Sequence, residues 1–547
     1  MKNKLNKYTL LLVTALITTI LSTLHLIIGF AKTPIGMVYT WTGHYYLDYF
    51  YYLQFIAQGL RGYWLPQQYS ATDDPSIYFH LEPYLIIGQI GRIFGLTAIS
   101  TYWLSVIVLI LILALSIFKV IREILKDRPF KLQFAAFLIA LSASPFFKLI
   151  NDKTGLQFNF YEYWASYGNF FKRFEPVPHH LLAGITILFI FYLCHKYLSN
   201  NSKNIKSSLF FGITIGLLLS AMLTFYPFQI IPVFFAIAIT VMLYFLKNIK
   251  GKKYREAFFV SLFIFAAGIL ILLSGLMINR FYYQTTFFQS TKGVEEGWRN
   301  FPPLKDVILN LGPVILLVLF GLERFVKKIN SMGILLLTFV LISFSLFYSS
   351  LDLVLNTHNG RFLSPQSYIL FAVIAVLGIE KIAEFFSLKK SSKVFNFIVF
   401  LLLIFSLPAN IADFREKLVD KNLNSPISYL PKGIIDGFKF LDRQPEKGNV
   451  LLTPSQFLGT VMPAFADRKT YVARHAATPN YIEKNIRTSS FYLGAMANDE
   501  ALNFLRKNRL KFVVLTSIEG YDVKKLFNYS FLKEIYRNKD IIIFKVK

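Results

Sequence analysis

Cysteine is almost missing from this chain, because Cys194 is the only one among 547 residues. Cys194 lies inside an apolar run. A disulfide framework needs paired cysteines, and a cysteine-rich zinc site needs several of them. Both kinds of stabilisation are therefore excluded.

Charged residues are scarce as well. Asp, Glu, Lys and Arg make up 16% of the chain, against roughly 25% in ordinary soluble domains. Hydrophobic residues make up 54%. This is the composition of an integral membrane protein.

Acidic residues are the scarcer of the charged kinds. The chain has 31 Asp and Glu against 58 Lys and Arg, which gives a formal charge of +27. The cations recur in short clusters between apolar runs, as expected for loops that fix topology beside anionic lipid. We find no motif that reads nucleic acid. Membrane lipid is the expected partner, and nucleic acid is not.

Long apolar runs predict about eleven transmembrane helices, each long enough to cross about 30 Å of hydrocarbon. The first run is too long for a cleaved signal, whose apolar region has about 7–15 residues. The predicted spans are Tyr8–Phe30, Ala98–Ile121, Leu132–Ile150, His180–Tyr197, Leu209–Tyr226, Ile230–Leu246, Phe258–Ile278, Val307–Phe325, Met332–Tyr348, Ser367–Phe386 and Val394–Ala412.

The basic loops predict the orientation of these spans. Five short connections carry nearly all the clustered Lys and Arg of the membrane part, and such loops face the cytoplasm. The N-terminus is then inside, and an odd number of spans puts the chain after Ala412 outside. We expect a multi-pass protein of the plasma (inner) membrane. The cytoplasmic loops are Lys119–Lys131, Lys196–Ser208, Lys247–Glu256, Arg324–Asn330 and Lys389–Lys393.

Two domains follow from this pattern. Residues 1–412 are predicted to form an all-α transmembrane domain with a long first outer loop, residues 31–97. Residues 413–547 are predicted to form a small extracytoplasmic α/β domain, large enough for its own core. Its predicted strands are Asn449–Pro454, Thr470–Ala473, Phe512–Thr516 and Ile541–Val546, and its helices are Pro431–Leu441 and Asp499–Lys507.

The first outer loop carries the most informative carboxylates. Tyr45–Leu60 and Ile77–Phe94 are predicted to be amphipathic helices lying flat on the outer leaflet. Asp48 stands among aromatic residues in the first of them, where it can accept a proton from a hydroxyl or simply cap a surface helix. Glu82 precedes Pro83 and can serve as a second acid or a metal ligand. No cofactor is certain, and a divalent metal stays open. Asp73-Asp74-Pro75 is predicted to be a turn, with Asp74 as a helix cap.

Cations on the outer side are candidates for an anion site. Arg173 and Arg361 each lie just before a predicted span, and arginine binds phosphate through two parallel hydrogen bonds. They suit a polyprenyl-phosphate headgroup, although lipid phosphates or local carboxylates such as Glu175 would also satisfy them. Lys172 and Arg92 are weaker candidates.

The arrangement resembles the GT-C superfamily of integral-membrane glycosyltransferases. An N-terminal span is followed by a long outer loop with an acidic residue, then by many spans and an outer domain. The stretches similar to the bacterial members are Asp48–Trp64, Pro83–Leu96, Ile434–Leu441 and Pro463–Val472. The resemblance covers most of the chain by architecture.

The resemblance implies an enzyme, a hexosyl- or pentosyltransferase. The donor would be a polyprenyl-phosphate sugar, and the acceptor a hydroxyl of a glycan, lipid or protein at the outer face of the membrane. Asp48 would be the catalytic base, and a single displacement would invert the anomeric centre. Several family branches have two adjacent acids at this position, whereas Leu47 and Tyr49 flank Asp48 here. Glu82 is our substitute for the second acid.

Two other functions compete with this one. A transporter or flippase of lipid-linked saccharide would usually show inverted repeats and polar or broken helices at mid-membrane, and we detect neither in the sequence. A scaffold with an inactive site of the same ancestry would bind donor without turnover.

The topology can be tested with tags. We expect a tag after Lys547 to be accessible from outside intact cells or spheroplasts, and a tag after Met1 to be protected, because the basic loops face the cytoplasm. Accessibility to a membrane-impermeant reagent measures both. Protection of the C-terminal tag would contradict the predicted architecture.

Overall fold

The computed structural model describes residues 2–43, 45–73, 81–152, 155–161, 170–200, 203–285, 288–289, 296–386, 391–419, 428–452 and 456–547. The chain forms two compact units, neither of which is continuous in sequence. The first unit contains Met1–Thr23, Val106–Leu276 and Glu295–Glu416. The second contains Leu24–Ser105, Met277–Val294 and Lys417–Lys547. The predicted first outer loop therefore shares a unit with the C-terminal residues.

Helices dominate the chain up to residue 285. In chain order, the elements are α1 (Lys2–Ala31), β1 (Met37–Tyr39), α2 (Tyr46–Leu60), α3 (Glu82–Ile93), α4 (Ala98–Ile124), α5 (Phe130–Ser142), β2 (Phe147–Asp152), β3 (Gly155–Phe160), α6 (Phe170–Arg173), α7 (Pro178–Ser199), α8 (Ile205–Met222), α9 (Ile230–Lys250) and α10 (Tyr254–Ile278).

Strands become frequent only towards the C-terminus. The elements are α11 (Leu304–Leu311), α12 (Val314–Lys327), α13 (Ser331–Phe347), α14 (Leu351–Val354), α15 (Tyr368–Phe385), α16 (Ser391–Val419), β4 (Tyr429–Pro431), α17 (Lys432–Asp442), β5 (Asn449–Leu452), α18 (Gln456–Phe465), α19 (Tyr481–Tyr492), α20 (Asn498–Lys507), β6 (Leu510–Thr516), α21 (Val523–Phe527), β7 (Leu532–Arg537) and β8 (Ile541–Val546).

Each of the eleven predicted spans overlaps at least one of these helices. In the described part of the chain, seven helices are long and apolar enough to cross a membrane, or eight if the bent pair α11 and α12 counts as one span. The helices α5 and α13 are apolar but shorter, and α15 contains Glu380, Lys381 and Glu384. The fold is a polytopic helical membrane protein, while the number eleven and the orientation remain predictions.

The charges of α15 are paired inside the first unit. Arg128 and Arg324 both bind Glu380, at 3.2 and 3.1 Å, and Arg324 also binds Glu384. Shared carboxylates reduce the cost of placing charge at the end of an apolar helix.

Two predicted spans have the wrong shape. The span Leu132–Ile150 ends as a helix at Ser142, and its remainder forms β2, which pairs antiparallel with β3. Pro145 explains the stop, because proline disfavours the helical conformation in the residue before it. The span Val307–Phe325 is bent by 86° between α11 and α12. Gly312 has a φ of +73° at the bend, and Pro313 follows it.

The C-terminal residues contain the predicted α/β fold. The strands β5, β6, β8 and β7 lie side by side in that order, with β5 and β6 parallel and the other pairs antiparallel. The predicted strand Thr470–Ala473 was wrong, since only Thr470 bridges to Val450. The neighbouring backbone instead serves the first-loop segment: the amide of Thr470 donates to the carbonyl oxygen of Tyr69 at 2.9 Å.

The first-loop segment is part of the second unit's core rather than a surface attachment. The strand β1 pairs antiparallel with β4, with Tyr39 opposite Tyr429, and α2 packs against α3 and α18. The predicted helix Tyr45–Leu60 is confirmed as α2, but every residue from Tyr49 to Gly59 is buried. The helix is therefore covered by protein on all sides along this stretch, and its position at the outer leaflet remains a prediction. Of the other predicted helix, residues 77–80 lie outside the described residues and Glu82–Ile93 is confirmed.

Candidate active site

Asp48 lies in the first turn of α2. Backbone amides at the start of a helix point along its axis, so a carboxylate is favourable there. The rings of Tyr49, Phe50 and Tyr51 follow it and are buried. Asp48 itself is 26% exposed. The carboxylate therefore stands at the edge of an aromatic core, within reach of solvent.

Arg474 forms an ion pair with Asp48. Its guanidinium also lies over the ring of Tyr51, 5.4 Å from the centroid, and its side chain is 16% exposed. Burial lowers the pKa of Arg474, but the charge of Asp48 and the nearby tyrosine hydroxyls together raise it, so that the pKa lies above its ordinary value. The guanidinium of Arg474 is therefore charged at neutral pH.

The backbone around Arg474 is fixed from both sides. The amide of Ala473 donates to the hydroxyl of Thr478 at 3.2 Å, and that hydroxyl donates to the carbonyl oxygen of Ser70 at 2.8 Å. A Cβ on Gly459 of α18 would lie 2.1 Å from the carbonyl oxygen of Val472, so only glycine permits this approach. These contacts hold Arg474 where it meets Asp48.

Glu82 lies at the same end of the helix pair as Asp48. The helices α2 and α3 run side by side in one direction: Tyr52 stacks on Tyr84 at 4.7 Å, and the side-chain amide of Gln89 donates to the carbonyl oxygen of Tyr63 at 2.6 Å. Asp48 and Glu82 each lie in the first turn of one of these two packed helices.

The environment of Glu82 differs from that of Asp48. Burial raises the pKa of Glu82 to about 7. The residue before it, Leu81, has a φ of +66°, a conformation that bulky side chains rarely adopt. Strained backbone of this kind occurs often at functional sites. Glu82 is thus a carboxyl with a raised pKa, whereas Asp48 is paired with a cation, and acid and base pairs in enzymes stand in such different environments.

Arg173, in the first unit, is 5% exposed and donates to the carbonyl oxygens of Leu141, at 3.0 Å, and Ala143. Its guanidinium lies 4.4 Å over the ring of Tyr368. Burial lowers the pKa of Arg173 to about 10. The side chain fastens the end of α5, where helical carbonyls lack partners.

Arg361 has a different position in the same unit. It lies in a short 3-10 turn, Asn359–Phe362, and is half-buried. The side-chain amide of Gln229 donates to the carbonyl oxygens of Arg361, at 2.5 Å, and Leu363, at 2.8 Å. Tyr226 lies within electrostatic range of Arg361 and Glu175, and Glu175 contacts His180 at 3.0 Å. Gln229 therefore holds the backbone of Arg361, and the Arg361 side chain lies near polar groups.

The positions of the other two predicted cations, Lys172 and Arg92, say less about a role in binding phosphate. Lys172 is half-buried in α6, and Arg92 is exposed in the last turn of α3 beside Gly62. Asp73 binds Lys484, whereas Asp74 of the predicted turn lies outside the described residues.

Among the residues that the structure describes, no three His, Cys, Asp or Glu side chains are grouped as metal ligands would be. We therefore assign no metal ligands. The carboxylate of Asp48 already has a cationic partner in Arg474.

Comparisons with known proteins identify the fold. No protein-family model and no curated protein sequence matches this chain. Three solved structures are similar. ArnT from Cupriavidus metallidurans, bound to undecaprenyl phosphate, matches with a TM-score of 0.54 and 9% identity over 98% of this chain and 97% of that one. The archaeal oligosaccharyltransferase AglB from Archaeoglobus fulgidus, in complex with an inhibitory peptide and a dolichol-phosphate, matches with a TM-score of 0.52 and 13% identity over 94% and 70%.

The third structure is the arabinofuranosyltransferase AftD from Mycobacteria. It matches with a TM-score of 0.53 and 12% identity, over 97% of this chain and 40% of that one. All three proteins are GT-C membrane glycosyltransferases. The predicted GT-C fold is confirmed.

The raised pKa of Glu82 predicts how its removal affects stability. A carboxyl whose pKa is about 7 in the folded state and 4.5 ordinarily costs stability as pH rises from about 4.5 through 7. Glu82→Gln cannot ionise. We expect its melting temperature to match the unmodified protein near pH 5 and to exceed it at pH 8. Glu500→Gln, at an exposed carboxyl, should not raise the melting temperature at pH 8 in this way. Equal melting temperatures at pH 8 would contradict the burial of Glu82.

Proposed function

Because this chain has the GT-C fold, we propose that it transfers a sugar from a polyprenyl-phosphate donor to an acceptor hydroxyl at the outer face of the membrane. The observation that carries the proposal is Asp48, a carboxylate at a helix start and at the edge of an aromatic core. Two proteins of similar fold were solved with undecaprenyl phosphate and with dolichol-phosphate. Those lipids have the chemistry of the proposed leaving group.

The proposed reaction is a single displacement. The acceptor oxygen attacks the anomeric carbon while an oxygen of Asp48 takes the hydroxyl proton. The bond between the anomeric carbon and the phosphate oxygen breaks, and polyprenyl phosphate leaves with the bonding electrons. Phosphate is a stable anion, so a separate acid is unnecessary. One displacement inverts the anomeric centre.

Glu82 is proposed to assist rather than to replace Asp48. With a pKa of about 7, its carboxyl is partly protonated at neutral pH and can donate a hydrogen bond to a sugar or phosphate oxygen. Asp48 is proposed as the base because Arg474 beside it favours the ionised carboxylate, which is the form that can accept a proton.

Arg361 is proposed as a contact for the donor phosphate, and Lys172 in the same unit and Arg92 in the second unit are each weaker candidates, considered separately. Arg361 has its backbone fixed and its guanidinium in a half-buried polar cluster, which suits a charge-assisted contact. Arg173 is the weaker candidate for this contact, because it is buried and its Nη2 donates to two carbonyl oxygens of the first unit.

Asp48→Asn tests the proposed base. The amide cannot take the proton, so we expect turnover of a polyprenyl-phosphate sugar to fall by roughly 10²–10⁴. Donor binding should persist. Arg474 then faces a neutral amide, so the melting temperature should fall, and turnover must be compared below it. Asp73→Asn is the matched control, since Asp73 also pairs with a C-terminal cation, Lys484. Near-normal turnover in Asp48→Asn would show that Asp48 is not the base.

Arg361→Ala tests the phosphate contact. We expect donor binding to weaken by about 1.5–3 kcal/mol, as for other lost charge-assisted contacts. Titration of the purified protein with polyprenyl phosphate measures this. Arg173→Ala is the comparison and should lower the melting temperature more than it lowers affinity. Unchanged affinity in Arg361→Ala would remove Arg361 from the proposed site.

A further inference from the structure

Arg474 lies more than 400 residues from Asp48 in sequence and meets it in the fold. We infer that Arg474 is a positioning residue of the proposed transferase, which holds the carboxylate of Asp48 charged and in one orientation. The inference rests on the proposed role of Asp48 as the base. It assigns a catalytic contribution to the C-terminal residues, which the sequence marks only as a small soluble domain.

The contacts of Arg474 differ from those of two buried arginines, Arg173 and Arg468. Arg173 donates to two carbonyl oxygens, and Arg468 donates to those of Leu441 and Gln444, at 3.2 and 2.7 Å. Arg474 instead directs its guanidinium at a carboxylate and at the face of Tyr51. The guanidinium of Arg474 therefore contacts the side chain that the proposed reaction uses as its base.

The pair is held rigidly enough to define an orientation. The hydrogen bonds from Ala473 to Thr478 and from Thr478 to Ser70 fix the backbone on both sides of Arg474. Asp48 is fixed by the first turn of α2, which continues into a fully buried helix. A carboxylate clamped between a helix start and a guanidinium has few rotamers left, and orientation contributes directly to proton transfer.

Other ionisable groups lie near the pair. Burial, with the charge of Arg474, lowers the pKa of His475 below its ordinary value, which favours the neutral imidazole. Tyr45, Tyr51 and Tyr52 also face the pair, and burial raises the pKa of Tyr45. The packed helix α18 contains no ionisable residue, and α3 contributes Glu82, whose pKa is about 7. Arg474 is the described cation that forms an ion pair with Asp48.

The pH profile of turnover tests the inference. Without the guanidinium, ionised Asp48 is less favoured. We expect Arg474→Gln to move the acid limb of kcat/KM to higher pH by about 1 unit or more, with roughly tenfold lower turnover on that limb and partial recovery above it. Arg474→Lys keeps the charge but loses the planar contact. Arg474→Lys should leave the acid limb of kcat/KM near its original pH. It should lower kcat at every pH, because the orientation of Asp48 is less well defined.

The controls separate this inference from simple loss of packing. Lys484→Gln removes another cation that pairs with a first-loop carboxylate, and it should leave the limb in place. The series is repeated in Glu82→Gln, because Glu82 has a pKa of about 7 that would overlap the limb. If Arg474→Gln fails to fold, Arg474→Lys decides alone: lowered kcat with an unmoved acid limb and an unchanged melting temperature supports the inference, whereas unchanged kcat, or a loss of kcat that accompanies a lowered melting temperature, overturns it.

Failure of the inference and failure of the proposed function give different results. If the unmodified protein consumes no polyprenyl-phosphate sugar at any pH, the proposed function is overturned. If it is active and Arg474→Gln shows an unmoved acid limb, or a uniform loss at every pH, Arg474 is a structural residue only and the inference is overturned.

Discussion

A carboxylate among aromatic rings must be paired, because moving a charge away from water costs several kcal/mol. Asp48 is in this position, and the second unit is arranged around supplying its partner. Strand β1 pairs with β4, α18 packs on α2, and the backbone near Thr470 bonds to Tyr69. All of these contacts join the first-loop segment to residues beyond 428. Together they bring Arg474 to Asp48.

Features with a local signal were predictable from the sequence. The length of the apolar runs located the membrane helices. The pattern of apolar residues located α2, β6 and β8 to within a few residues. The breaks at Pro145 and at Gly312-Pro313 were missed, because hydropathy averages over a window in which a single proline or glycine has little weight. Strand β7 was missed because it is half-exposed and carries Lys533, Glu534 and Arg537.

The site was predictable only one residue at a time. Asp48 and Glu82 stood out as carboxylates in apolar surroundings, but nothing local marks Arg474, since its partner is more than 400 residues away. Arg173 and Arg361 have similar sequence contexts and opposite placements: one is buried against carbonyl oxygens, and the other is half-buried in a polar cluster. Burial, which decides between them, is a property of the tertiary fold.

The long sequence separation across the second unit bears on how the protein is made. At about 5–20 residues per second, the ribosome needs tens of seconds to reach Arg474 after it has finished Asp48. During that interval, the aromatic segment exists without β4, α18 and its arginine partner. A nascent or prematurely terminated chain therefore has the candidate base but not the environment that charges and orients it. Maturation of the site is thus tied to completed synthesis.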